Sequence, residues 1–510
     1  MNNKKQYTGG PSFRLIPATR NPMLSLLCRL SGRISLIVFC GLPILTSCTL
    51  GPDFKPPKPE LSNQWSEPTP TAAIFASLGE QDLAHWWKIF NDPQLSSLIE
   101  RATEVNLDLR IAQSRIRQSR AALTIAGANL GPTVDASAAY RRSQSPMSGS
   151  DSPGATTNLY QTGFDAVWEL DLFGGIRREV EASGAELDSA VENRRDLLVS
   201  LNAEVANNYL NLRSLQQRLA IARANLTAQK HTVELTRQRW DAGFINKLDM
   251  VRAEAQAATT AGQIPLLEAA IRQTIYGLSL LLASEPATLL AELTPDAALP
   301  VAMANVPPGL PSELLRRRPD IRRAEANIHA ATARIGVATA DLFPTFTITG
   351  SLGLQNNTFN STFNHSSRAW SLGPSINWPL FDMGRTRANI ELKKAVQEEE
   401  LLAYEQTVLT ALNEVENALV AASKEEEHRK SLAIAVTANR AALKLASTLY
   451  AAGETDFLSV LDAQRALFIT EEALAQSSKT VCTNLVALFK ALGGGWQEDK
   501  NSNIDKVPNA

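Results

Sequence analysis

The sequence predicts a mostly α-helical chain that is built from two tandem repeats and carries a small set of membrane-compatible β-strands. Three observations support this fold class: an internal duplication, two very long stretches of helical apolar spacing, and segments in which apolar and polar residues alternate. The chain has 510 residues, of which only 6% are aromatic, whereas alanine and leucine are abundant. This composition is typical of a helix-rich protein.

Composition and spacing also argue against several function classes. The formal net charge is −2 and no block of basic residues occurs, so we expect no nucleic-acid partner. The five histidines are scattered, and no pair has the spacing of metal ligands. The glycines of 492–496 indicate a helix end rather than a nucleotide-binding loop. We therefore expect neither an enzyme nor a metal site.

The first 47 residues have the organisation of a signal peptide. Arg33 precedes an apolar run at 34–45, and these 12 residues are too few for a spanning helix, which needs roughly 20. The residues before Met23 add nothing that a signal requires, so translation could begin at Met23 rather than at Met1.

A cysteine closes this segment. The sequence LTSC at 45–48 resembles the bacterial lipobox, which implies that Cys48 carries a diacylglycerol and an N-acyl chain (palmitate) and begins the mature protein. The alternative is a plain signal peptide with a chance cysteine. Thr49 replaces the aspartate that would retain a lipoprotein in the inner membrane, which implies sorting to the outer membrane. Apart from this lipid we expect no cofactor.

The chain repeats itself at an interval of about 210 residues. Residues 106–140 align without a gap on 318–352, and 239–256 align on 449–466. Each copy has the same plan: helix, proline break, strand, loop, strand, very long helix, glycine turn, helix. Glycine tolerates the left-handed backbone that such turns use. The matched glycines are Gly243 and Gly453.

Apolar spacing predicts three helices in each copy. They are 94–129, 176–241 and 245–283 in the first copy and 312–341, 384–451 and 454–492 in the second. At 1.5 Å per residue the longest helix of each copy would extend about 100 Å, and its three-four spacing is typical of coiled-coil packing. The two shorter helices of a copy, laid end to end, approach that length, so we expect a tube wall of parallel columns.

The strand segments alternate apolar and polar residues with period two. Trp370 and Trp378 lie on one apolar face, about 26 Å apart along a strand and near 20 Å after tilting, comparable with the aromatic girdles of transmembrane barrels. Trp168 lies on the matching face in the first copy. We expect all three to be membrane-interface aromatics. The alternative, a soluble sandwich, does not explain two tryptophans on one apolar face.

These strands cannot form a barrel alone. Four strands are too few to close one of useful width, and an open sheet edge is not tolerated in lipid, so the chain must oligomerise. The polar stretches at 143–158 and 356–367 are expected to be long exposed hairpin loops.

Four motifs resemble those of a known family. CTLGPDFKPP (48–57), the segment at 86–112, LRRRPDIRRAEANI (315–328) and LYAAGETDFLSVLDAQ (449–464) look like those of TolC-like outer membrane factors of the NodT/OprM lipoprotein type. The resemblance implies a homotrimer with a 12-stranded β-barrel in outer membrane lipid on a long periplasmic α-barrel. It also implies a passive gated exit duct fed by a periplasmic adaptor (membrane fusion protein) and an inner-membrane pump, favouring the resistance-nodulation-division type.

The same resemblance assigns roles to several residues. Leu458 and Asp462 would form constricting rings at the closed periplasmic tip, and Arg465 would place a gate-holding charge on the same helix face. Gly243 and Gly453 would turn the hairpins where the adaptor docks. The alternative for Asp462 and Arg465 is an ordinary surface ion pair, worth roughly 0.2–0.5 kcal/mol.

The predicted organisation has five parts. They are a signal peptide (1–47), a lipidated N-terminal segment (48–93), a first repeat (94–300), a second repeat (301–495) and a disordered tail (496–510). Two other functions stay open: a lipid-anchored periplasmic coiled-coil scaffold without a pore, and the exit duct of a type I secretion system. The strands favour a channel, because a scaffold has no use for lipid-compatible strands at matching places in both copies.

Overall fold

The structure is a computed structural model, and it describes residues 49–59, 62, 64–66, 83–144, 156–300 and 311–496. The predicted signal peptide, Cys48, part of the first predicted loop and most of the predicted tail lie outside the described residues. The described part of the chain contains no helix that is both apolar enough and long enough to span a bilayer.

Long helices and a small sheet dominate the fold. In chain order the strands and the helices of seven or more residues are α1 (Pro93–Val105), α2 (Leu107–Ala128), β1 (Thr133–Gln144), β2 (Thr156–Leu170), α3 (Gly175–Asp241), α4 (Lys247–Leu281), α5 (Pro311–Arg317), α6 (Pro319–Ala340), β3 (Thr345–Asn356), β4 (Arg368–Asn377), α7 (Arg385–Ala452) and α8 (Phe457–Ala491). Helices at corresponding places agree in length: α2 and α6 have 22 residues, α3 and α7 have 67 and 68, and α4 and α8 have 35.

Each predicted pre-proline helix is interrupted, so the prediction of one continuous helix was wrong. The break between α1 and α2 falls at Asn106, whose side chain accepts hydrogen bonds from the N–H groups of Asp108 and Leu109 and starts a new helix. The break between α5 and α6 falls at Arg318, because Pro319 disfavours the α conformation in the preceding residue.

Two other expectations need correction. The segment 356–367 is not a fully irregular, exposed loop: it contains a helical turn at Phe359–Thr362, and Thr362 is buried. Trp496, which the sequence analysis assigned to the tail, packs against the guanidinium groups of Arg195 and Arg322 and donates a hydrogen bond from Nε1 to the Arg317 carbonyl at 2.9 Å.

The four strands form one antiparallel sheet in the order β1-β2-β3-β4. Phe164 lies opposite Leu352, which lies opposite Trp370, and these side chains are 59%, 62% and 76% exposed. The other face presents Asp165 opposite Ser351. The sheet therefore has one apolar face and one polar face, as the alternation predicts, and no described helix packs across either of them.

Two tryptophans hold the sheet on the helices. Trp168, near the end of β2, donates from Nε1 to the Leu130 carbonyl after α2 at 3.0 Å. Trp378, directly after β4, donates to the Leu342 carbonyl after α6, also at 3.0 Å. The same bond thus fixes the base of the sheet in both copies, while Trp370 lies toward the opposite end of β4.

The helices form four columns. The 35-residue α4 and the 22-residue α2 together approach the 67 residues of α3, and they lie along one side of it. The Asn106 amide donates to the Leu281 carbonyl at 3.0 Å, so the end of α4 meets the start of α2. Likewise α8 and α6 form a column between α3 and α7.

A buried arginine joins the second stacked pair. Arg318 donates to the Ala491 carbonyl at the end of α8 at 2.9 Å, to Glu414 of α7 at 2.6 Å, and to both oxygens of Asp320 at 3.0 and 2.7 Å. Burial alone would lower the pKa of Arg318, but the bonds to Asp320 and Glu414 outweigh it and raise that pKa. One side chain therefore binds three helices together.

We predict that Arg318→Gln lowers the free energy of unfolding by about 3 kcal/mol, because it leaves Asp320 and Glu414 without their cation at a largely buried junction. The matched control is Arg317→Gln, which removes a pair with Glu313 on the surface and should cost under about 0.5 kcal/mol. Thermal melting followed by circular dichroism in detergent measures both. Equal melting temperatures for the two variants would contradict the prediction.

Candidate functional site

The end of the molecule opposite the sheet carries two helical turns of the same construction. Gly243 and Gly453 follow the long helices with φ angles of +75° and +79°. The N–H of Gly243 donates to the Trp240 carbonyl at 2.9 Å, and the N–H of Phe244 donates to the Arg239 carbonyl at 2.9 Å. Gly453 and its neighbours form the matching bonds at 3.1 and 2.9 Å. Both turns are therefore Schellman motifs, which require this left-handed glycine.

A side-chain cap then starts each returning helix. Asn246 accepts from the N–H of Asp249 at 3.3 Å, and Asp456 accepts from the N–H and the hydroxyl of Ser459 at 3.0 and 2.7 Å. The hydrogen bonds from Ser459 hold the pKa of Asp456 below its ordinary value. The stabilisation is therefore fully present above the ordinary aspartate pKa and is lost only as pH falls through the lowered value.

One face of α8 packs into the protein at this end. Phe457, Val460 and Leu461 form a small buried cluster with Tyr450 of α7 and Ala253 of α4. This cluster fixes the rotation of α8 about its own axis.

The three predicted gate residues lie away from that cluster. Leu458 is 42% exposed, and Asp462 and Arg465 are also exposed. Arg465 donates from Nε to Gln256 of α4 at 2.7 Å. No ion pair within 4.0 Å joins it to Asp462, which contacts no donor in the described part of the chain. The ordinary ion pair that the spacing allows is therefore not formed.

The first hairpin keeps the leucine but not the acid at the positions that match Leu458 and Asp462. Leu248 is 51% exposed and matches Leu458, whereas Arg252 stands where the second hairpin has Asp462. Arg252 lies 3.8 Å from Asp249 on its own helix. Within one chain the acidic position thus occurs only on α8, as the sequence comparison of the two copies predicts.

Sequence reasoning missed Arg239, the residue that links the two hairpin tips. Its guanidinium donates to the carbonyls of Tyr450 and Ala451 at 2.9 Å each and lies 4.6 Å from the centre of the Tyr450 ring. It thereby caps the carboxyl end of α7 from a neighbouring helix. A basic residue in the last turn of α3 was a visible signal, but it did not indicate which helix the side chain would cap.

The helical columns differ in how they are held. α8 is paired with α3 through Arg218 and Glu472 at 2.7 Å, and with α7 through Arg440 and Glu471 at 2.7 Å. α4 packs on α3, and its far side exposes large apolar side chains. On α4 these exposed side chains are Leu266 and Leu280. At the opposite edge, α7 exposes Leu409, Ile434 and Leu445. Both lateral edges therefore carry large apolar side chains that no other described residue covers.

The model of the outer membrane efflux protein family matches residues 98–284 and 310–494. The chain belongs to this family. It is 32% identical over 454 residues to nodulation protein T of Rhizobium leguminosarum bv. trifolii, covering 89% of this chain and 96% of that protein. It is 33% identical over 467 residues to the solvent efflux pump outer membrane protein SrpC of Pseudomonas putida, covering 90% and 98%.

A solved structure agrees with these relatives. The outer-membrane channel OprN superposes with a TM-score of 0.83 and 38% sequence identity over 88% of this chain and 100% of that one. The resemblance drawn from the sequence motifs is thus confirmed: this outer membrane efflux protein is a transport duct of the outer membrane that extends into the periplasm.

Within this outer membrane efflux protein the roles of individual residues stay predictions. They concern Cys48, the gate residues Leu458, Asp462 and Arg465, the tip residues Gly243 and Gly453, and the aromatics Trp168, Trp370 and Trp378. The structure brings the gate residues onto one exposed helix face and puts the two glycines at one end of the molecule. In the part of the chain that the structure describes, no group of three His, Cys, Asp or Glu side chains could hold a metal ion.

We predict that Gly453→Ala destabilises the protein by about 1 kcal/mol, because alanine must adopt a left-handed backbone although no neighbouring atom lies in its way. The matched control is Gly184→Ala in the interior of α3, where the added methyl also meets open space and helix propensity should stabilise by about 0.5–1 kcal/mol. Melting temperatures should move in opposite directions. An unchanged or raised melting temperature for Gly453→Ala would show that the turn does not need glycine.

Proposed function

We propose that this efflux protein is the passive, gated exit duct of a tripartite system that carries substrates from an inner-membrane pump and a periplasmic adaptor across the outer membrane. One observation carries the proposal: a sheet with one lipid-compatible face continues into helical columns, and both sheet and columns end in uncovered edges. A wall of this kind is a segment of a tube.

Closure of that tube requires further copies of the chain. Among the residues that the structure describes, β1 and β4 each have one edge without a partner strand, and such an edge is not stable in hydrocarbon. Three copies would supply twelve strands and complete both a barrel and a helical stem. We therefore propose a homotrimer in which β4 of one subunit pairs with β1 of the next and the apolar edge of α7 covers that of α4.

The two faces of the sheet fit this assembly. The apolar face, with Phe164, Leu352 and Trp370, would contact lipid, and Trp168 and Trp378 would lie at the periplasmic interface. The polar face carries Asp135 opposite Asp165, Asp165 opposite Ser351, and Ser351 opposite Ser371. That row would line a water-filled bore.

We propose that the chain is a lipoprotein built from two structural repeats, 94–300 and 301–495. Equal helix lengths and the matching tryptophan bonds to Leu130 and Leu342 support the duplication. We propose that Cys48 carries the acyl chains. Its neighbour Thr49 packs against Gly174 at the start of α3, beside the base of the sheet, which is where an anchor in the inner leaflet would hold the chain.

The gate proposal rests on the exposed face of α8. Three copies of Leu458 would form an apolar constriction, and three copies of Asp462 would form a hydrated carboxylate ring that attracts cations and repels anions. The bond from Arg465 to Gln256 would hold α8 against α4 in the closed state. The adjacent tips, where Phe244 is 81% exposed, would offer the adaptor its docking surface.

The alternatives explain less. A lipid-anchored scaffold without a pore leaves the two-faced sheet without a purpose. The exit duct of a type I secretion system would use the same architecture, but relatives of this chain carry names of efflux pump components, such as SrpC. We therefore favour efflux, with a resistance-nodulation-division pump as partner.

We predict that Asp462→Ala raises the single-channel conductance of the purified protein in planar bilayers and sensitises cells to vancomycin. The reason is that the substitution removes the charged ring and widens the constriction. Glu454→Ala, an acid on the exposed turn before α8, is the matched control and should leave conductance unchanged.

The outcomes separate the candidate functions. No conductance in either the wild type or Asp462→Ala would defeat the channel proposal. If Asp462→Ala instead lowers the stability of the protein and leaves its conductance unchanged, this acid has a purely structural role. A smaller conductance in both variants would place the acidic ring outside the gate.

A further inference from the structure

A second site lies far from the tips. Between α2, α3 and α6, beneath the N-terminal segment, the structure contains a cavity of about 400 Å³, within the range of small-molecule sites. Helices α2 and α6 both pack on α3, so one chain builds the whole cavity. Phe54 forms its cover, and the ring of Phe54 stacks on His329 with centroids 4.4 Å apart.

One of the two oxygens of a buried carboxylate in this cavity has no hydrogen-bond donor in the described part of the chain. Glu192 is 5% exposed. Its Oε1 accepts from Arg195 at 2.7 Å and lies 2.8 Å from an Nη atom of Arg322, whereas its Oε2 is buried and has no donor among the described residues. A buried carboxylate oxygen without a donor is costly and points to a missing partner.

Two further acids line the same cavity. Asp188 lies one helical turn before Glu192, and Glu325 faces it from α6. Neither forms a hydrogen bond or ion pair with the described residues. Desolvation raises the pKa of both Asp188 and Glu192, and the charge of Asp188 adds to the effect on Glu192. The nearby Arg195, Arg322 and His329 offset the desolvation of Asp188 only in part, and Arg195 and Arg322 do the same for Glu192.

The cationic side chains of the lining already have partners. Arg195 and Arg322 bind Glu192 and lie over the Trp496 ring at 4.8 and 5.2 Å. His329 lies 3.0 Å from Glu181. Arg120 of α2 also faces the cavity and has an interaction of its own. The lining therefore leaves a carboxylate oxygen of Glu192 without a donor among the described residues, and the buried Nε of Arg120 also forms no hydrogen bond with them.

We propose that this cavity binds a small soluble organic cation through a primary ammonium group. An ammonium has three N–H donors and no acceptor, so it can supply the donor that Oε2 of Glu192 lacks, in a cavity that Asp188 and Glu325 also line. Its carbon chain would contact Leu187 and Phe54. Asp188 lies 13 residues into α3, about 20 Å from the base of the sheet, so a lipid headgroup amine at that base would not reach the site.

The test is isothermal titration calorimetry of the full-length lipoprotein in detergent, with putrescine as the probe and ionic strength held constant. Saturable binding should weaken about tenfold in Asp188→Asn and in Glu325→Gln, because each removes one charged acceptor without breaking an ion pair. Neutral butanediol should not bind. Glu204→Gln, an exposed acid further along α3, is the matched control and should bind as the wild type does.

Several results would overturn the proposal. Equal weakening in Glu204→Gln would show diffuse attraction to an acidic surface. Displacement of putrescine by Mg²⁺ at matched ionic strength would assign the site to a divalent cation. Binding that appears only in nanodiscs containing phosphatidylethanolamine would assign it to a lipid headgroup. None of these results bears on conductance, so the cavity and the channel are tested separately.

Discussion

A β-strand inside a lipid bilayer has to form hydrogen bonds along both edges, because hydrocarbon provides no substitute for water. In the described part of this chain β2 and β3 meet that requirement, while β1 and β4 each keep one open edge. The helical stem has the same geometry, since α4 and α7 end in uncovered leucines on opposite sides. A single arrangement of copies, such as the proposed trimer, would satisfy both the polar edges of the sheet and the apolar edges of the stem.

Continuity between the sheet and the tips depends on a few polar side chains at helix ends. Asn106 and Arg318 let two shorter helices stack into a column that runs beside an uninterrupted one. Trp168 and Trp378 attach the sheet to carbonyls at the top of those columns. In both copies, therefore, the stacked column is joined to the sheet at one end and to the hairpin tip at the other.

Periodic features of this fold were predictable from the sequence. The long helices, the two-faced strands and the glycine turns each follow from a repeating pattern or a residue with a special backbone preference. The helix break at Asn106 was not predictable, because asparagine is compatible with a helix and the apolar spacing continues across this residue. The break at Arg318 was readable from Pro319. The Arg239 cap and the Glu192 cavity join residues far apart in the chain, and spacing along one helix does not encode such contacts.

The number of chains in the purified particle tests the central claim most directly. Multi-angle light scattering of the purified lipoprotein, with the detergent contribution subtracted, should give the mass of three mature chains that begin at Cys48. It should fall to that of one chain only under conditions that also melt the sheet. A single folded subunit that stays soluble without detergent after its acyl groups are removed would contradict the account, since its strand edges would then need no partner.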